Sequence, residues 1–138
     1  MRRDRKRSYM IKIFEKYSTL GISAEACDVF EVLEKINASA EGDSERRELI
    51  AVYITLLLFR ATGDDEVFDT FYNVYLSGGE YVGSRSIGRR VLRYSYETHR
   101  DERTVYRLIA YAQMLYGRVL SELLGEEWSE SIEKSRSS

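Results

Sequence analysis

Proline is absent from the whole 138-residue chain. At ordinary usage near 5%, roughly seven would stand in a chain of this length. Proline lacks a backbone N–H and its ring collides with the preceding turn, so it breaks helix interiors and gathers in loops and at sheet edges. A chain without it reads most simply as helices joined by short turns built on Gly, Ser, Asn and Asp. An apolar content of 43% is enough for a real core, and the length suits one domain. The expectation is an all-α fold: a compact single-domain bundle of about five to six helices. That domain takes in residues 1–132, with a basic N-terminal arm at 1–7 and a disordered polar tail at 133–138.

Apolar residues recur at helical spacing along most of the chain. The first helix is predicted over 4–19, with Met10, Ile13, Phe14, Tyr17 and Leu20 on one stripe and Gly21 as a left-handed stop. In the second, Ser23 is the expected cap, Ala26, Val29, Phe30, Leu33 and Ile36 the inner face, and Asn37 the end. After a loop over 38–43, Asp43 or Ser44 caps a third helix. Its centre, 49–59, is apolar nearly all round, the mark of a helix buried on several sides. A strand over 52–59 is the alternative there. Thr62-Gly63-Asp64-Asp65 separates it from a fourth helix carrying Val67, Phe68, Phe71, Val74 and Tyr75, which Gly78-Gly79 ends, with 80–83 as connection. A fifth helix is predicted over 84–96 and a sixth over 102–124, stopped by Gly125.

Charge is close to balanced, with a formal net of −2, but it is unevenly spread. Residues 1–7 hold Arg2, Arg3, Arg5, Lys6 and Arg7 against one acid, and 24–70 hold twelve acids against four bases. Residues 79–120 hold eight arginines, no lysine and four acids. Asymmetry of this kind directs attention to the two basic segments as anion-binding candidates. Bases in the first turn of a helix oppose its dipole, so helix stability does not explain the 1–7 cluster.

The lone Cys27 has no intramolecular disulfide partner and cannot alone form a thiolate metal site. It reads as a small buried apolar side chain. The first residues lack an apolar run of signal-peptide length. The longest apolar run, 49–59, falls well short of the ~18–20 residues that cross a bilayer. The protein is therefore expected in the cytoplasm, with no membrane partner.

The segment with the most functional content is 84–112. It includes Arg89, Arg90, Arg93, Ser95, Thr98, His99 and Arg100, followed by Asp101-Glu102-Arg103-Thr104-Val105-Tyr106-Arg107-Leu108-Ile109. It resembles the helix-turn-helix unit of many bacterial and archaeal regulators. In such units an Asx or Ser caps the second helix, a Thr-Val pair packs it inward, and a small residue, here Ser95, lets the two helices approach. This chain has His99 where the turn usually carries Gly, Arg100 where an apolar residue is usual, and Thr98 where Leu is usual. The resemblance implies nucleic-acid binding, with a recognition helix in the DNA major groove presenting Arg103, Thr104, Tyr106 and Arg107. Arg89, Arg90, Arg93 and Arg100 would then flank it as phosphate contacts, joined by the arm residues Arg2, Arg3, Arg5, Lys6 and Arg7. A homodimer reading two half-sites follows from the same resemblance.

No P-loop, dinucleotide fingerprint, nucleophile elbow or metalloprotease helix is present, and the single His99 has no second histidine for a metal site. The chain is therefore expected to be non-enzymatic, with no cofactor and no metal, and His99 to be a turn or capping residue. Eight of the eleven tyrosines lie in the second half. Tyrosine suits half-wet interfaces. The competing reading is accordingly a helical interaction or assembly subunit that meets a protein partner through its Tyr-rich or acidic face.

Overall fold

A computed structural model describes the backbone of residues 2–25, 28–76 and 87–137, and the side chains of 9–25, 28–76 and 87–123. The protein is all-α. Six α-helices run through the described residues: α1 (Arg2–Ser18), α2 (Val29–Ser39), α3 (Asp43–Ala61), α4 (Asp65–Phe71), α5 (Ile87–Thr98) and α6 (Glu102–Ser137). A π-helical turn, Tyr72–Leu76, continues α4. The strand alternative over 52–59 is excluded, since that stretch is the middle of α3.

The apolar length of α3 sets the architecture. It packs against α1, α2, α4 and α6, so Leu49, Ala51, Val52, Tyr53, Leu56 and Phe59 are all buried although they point around most of the helix. The polar Thr55 survives in this setting because its hydroxyl donates to the Ala51 carbonyl at 2.7 Å. Four rings lock α1, α4, the π-helical turn and α6 together. Phe14 stands edge-on to Phe71 at 5.0 Å, to Tyr75 at 5.4 Å and to Tyr116 at 5.0 Å. Edge-to-face pairs at these separations add about 0.5–1.5 kcal/mol each beyond the area they bury.

The turns follow local chemistry. Gly21 and Gly63 take φ of 69° and 77°, the left-handed region open to glycine. At the end of α3 the Arg60 guanidinium lies 4.6 Å above the Phe68 ring and donates to the Ala24 carbonyl.

Several expected boundaries move. The second helix starts at Val29 and not after Ser23, because Asp28 is the better cap: its carboxylate accepts from the N–H of Phe30 at 3.1 Å and of Glu31 at 3.3 Å. The inner face rotates accordingly to Val32 and Ile36, leaving Val29 exposed and Phe30 81% exposed. Asn37 does not end this helix, which continues to Ser39. Neither Asp43 nor Ser44 caps α3. Gly42 holds the cap position, and Glu45 reaches back to accept from the Glu41 N–H at 3.2 Å. Gly125 does not stop α6, whose backbone stays helical for 36 residues and takes in 133–137, expected to be disordered. One glycine costs a helix about 1 kcal/mol, too little to halt it without proline or a competing cap. Ala26, Cys27, Gly78-Gly79, the connection 80–83 and Tyr81 lie outside the described residues.

Candidate functional site

The joint between α5 and α6 is a three-residue turn, His99-Arg100-Asp101. His99 has φ 55°, left-handed in a residue other than glycine. Asn, Asp and His tolerate this region better than bulkier residues, which explains how His stands where a turn of this shape favours Gly. Ser95, buried at the approach of the helices, donates its hydroxyl to the Arg100 carbonyl. The Arg100 N–H donates in return to the Ser95 carbonyl at 3.0 Å. Asp101 then opens α6, its carboxylate accepting from the Arg103 N–H at 3.3 Å. Val91, Tyr94, Val105, Ile109 and Ala112 are buried on the inner side of the pair.

The arginines of this segment divide into three groups. Arg90 is only 2% exposed and donates to Glu15 of α1 at 3.0 Å, so the expectation of a phosphate-facing side chain does not match its position. Arg93 donates to Glu97, one turn further along α5, at 3.1 Å, and Arg100 pairs with Glu66 of α4. Arg103, Tyr106 and Arg107 lie exposed on the first turns of α6, and among the described residues their side chains make no hydrogen bond or ion pair. Thr104 is half-buried beside them, and Arg89 is exposed on α5. The backbone of Arg2, Arg3, Arg5, Lys6 and Arg7 is helical within α1, so the arm continues the first helix. Their side chains lie outside the described residues.

The tyrosines divide likewise. Tyr75, Tyr94 and Tyr116 are core, and Tyr72 is half-buried with its hydroxyl 3.4 Å from the Ile22 carbonyl. Tyr96, Tyr106 and Tyr111 are exposed, as is Leu92 one turn before Tyr96.

A second feature was not anticipated. A cleft of about 1060 Å³ opens between α1, α3 and α6, walled by Tyr9, Met10, Glu48, Tyr106, Met114 and Tyr116, with other residues of α6. Glu48 is 3% exposed. Its Oε1 accepts from the Tyr9 hydroxyl at 2.5 Å and the Ser44 hydroxyl at 3.2 Å. Its Oε2 is buried with no hydrogen-bond partner among the described residues. Burial pushes the Glu48 carboxyl above the usual carboxylate range, against the opposing pull of those two hydroxyls. The Tyr9 and Tyr116 hydroxyls are pushed up as well, chiefly by burial. The sequence signal for this site is slight: one acid directly before an apolar run.

Among the described residues no three His, Cys, Asp or Glu side chains are grouped to hold a metal ion, and no helix is long and apolar enough to cross a membrane. No family model matches the chain, and no curated protein or solved structure is similar to it.

Proposed function

We propose that the protein binds nucleic acid through the α5–turn–α6 unit, with the first turns of α6 entering the major groove. The observation that carries this reading is the trio Arg103, Tyr106 and Arg107, exposed and without a protein partner among the described residues. Arg103 stands in the first turn, where a cation opposes the helix dipole, so the helix gains nothing from it locally. An anionic partner supplies the missing interaction. Guanidinium groups pair bidentately with guanine or with phosphate, and a tyrosine hydroxyl adds a phosphate contact. Arg89, exposed on α5, adds positive charge to the same segment.

The test is fluorescence anisotropy with a labelled random duplex and a labelled single strand across a salt series. Micromolar binding to duplex that weakens steeply with salt is expected, with a log–log slope of roughly 0.9 per neutralised phosphate. No binding at about 50 mM salt, where such contacts are strong, contradicts the reading.

A second reading rests on Leu92 and Tyr96, exposed one turn apart on the outer face of α5. A second copy of the chain seated there would give the homodimer that two half-sites call for. The same patch equally suits a different protein partner. Sedimentation of the wild type and of Leu92→Glu separates them: a dimer lost on substitution supports self-association, and an unchanged monomer leaves the face to another protein.

A further inference from the structure

We propose that the cleft between α1, α3 and α6 is a binding site for a small organic ammonium ion with an apolar or aromatic body, its N–H donating to the Glu48 carboxylate. The inference rests on the buried Glu48 of α3 and not on the α5–α6 turn, although Tyr106 borders both sites. Ligand clefts are mostly apolar, with a few convergent polar groups that orient the ligand. Here Met10, Ile109, Met114 and Leu120 supply the apolar walls and Glu48 the one buried charged side chain, while the half-buried Gln113 and the exposed Arg118, Ser121 and Glu122 complete the lining.

Glu48 asks for a donor. A buried carboxylate oxygen without a hydrogen bond is costly, and native proteins rarely leave one. Both hydroxyls that reach this group, from Tyr9 and Ser44, serve Oε1. Oε2 is left to accept. A cation answers both the missing hydrogen bond and the buried negative charge, whereas an anion answers neither. The rings of Tyr9, Tyr106 and Tyr116 in the same walls favour a cation further through their π-faces. Gly117 leaves room in that wall: a Cβ there would meet nothing nearer than the Met10 methyl, at 3.9 Å. Tyr9 is half exposed, and its hydroxyl stays on Oε1 while the head group takes Oε2.

The experiment is a titration of the full chain near neutral pH with 4-phenylbutylamine, 4-phenylbutan-1-ol and 4-phenylbutanoate, followed by NMR of the methionine methyls. The three share one body and differ only in the head group. The amine should shift Met10 and Met114 and bind about tenfold or more tighter than the alcohol, the gain expected of a charge-assisted hydrogen bond. The carboxylate should not bind. Glu48→Gln should weaken the amine far more than the alcohol and bring their affinities together. Met114 is 49% exposed, so Met114→Trp should fill the cleft without unfolding the bundle and weaken amine and alcohol alike. The proposal is overturned if amine and alcohol bind equally, if none of the three binds at about 10 mM, or if Met114→Trp leaves amine binding unchanged. Should Glu48→Gln fail to fold, the wild-type series and Met114→Trp still decide.

Discussion

Arg90 is the largest fully buried side chain of the described residues, and its guanidinium is held by Glu15 across the α1–α5 contact. A buried charge that loses its partner is strongly destabilising, whereas a half-exposed one rehydrates. Arg90→Ala also leaves a cavity, so a loss of about 3 kcal/mol is expected in urea denaturation. His99 presents the opposite case. Its left-handed φ costs an L-residue about 1–2 kcal/mol, part of which His99→Gly recovers against the extra entropy of unfolded glycine. That variant should raise stability by roughly 0.5–1 kcal/mol and leave nucleic-acid binding unchanged. Glu48 carries a pH dependence. The groups around it are Tyr9 of α1, Ser44 and Glu45 of α3 and the Tyr116 hydroxyl of α6, which lies 3.4 Å from the Glu48 carbonyl. Because burial raises its carboxyl, the folded state keeps a proton that the unfolded chain releases near pH 4.3. Stability from this group is therefore full below that value and declines as pH rises through the raised one. Glu48→Gln should remove the decline, measured as denaturation midpoints across that range. The turn position of His99 is legible in the sequence, and the environments of the other two are not. Arg90 and Glu48 look like surface charges until distant helices close over them.

At the scale of elements, caps decided where sequence and structure parted. Ser23 and Asp28 both precede a helical stretch, and only the carboxylate five residues later receives two helix N–H groups. The side chain of Ser23 instead accepts from the Glu25 N–H at 3.2 Å, a local turn. Asp28→Ala should cost about 1 kcal/mol, read as a shift in the denaturation midpoint, while Ser23→Ala should change little. The apolar faces of α1 and α4 were legible because one side of each meets the core at helical period, and α3 because it is buried nearly all round. The register of α2 was not, since it packs mainly on α3 and leaves Phe30 to solvent. The continuation of α6 past Gly125 shows the same weakness of local signals: a stop residue acts only where the chain that follows has somewhere else to go. The turn between α5 and α6 was well marked by Asp101 and Thr104-Val105, and the structure forms it at 99–101.

For the whole molecule, absent proline and a nearly all-round apolar α3 made the all-α bundle legible before any contact was known. The uneven charge was legible too, but its meaning depended on pairing. Glu15, Glu66 and Glu97 hold Arg90, Arg100 and Arg93, while Arg103 and Arg107 remain without an acid among the described residues. The measurement that bears most directly on the proposed function compares duplex affinity and salt slope for the wild type, Arg103→Ala, Arg107→Ala and Arg118→Ala. Arg118 is an exposed arginine on the same helix, about 16 Å further along its axis from Arg107. The account predicts that each of the first two variants weakens binding and lowers the slope by roughly 0.9, while Arg118→Ala matches the wild type. Equal effects at all three positions, or none at Arg103 and Arg107, would contradict it.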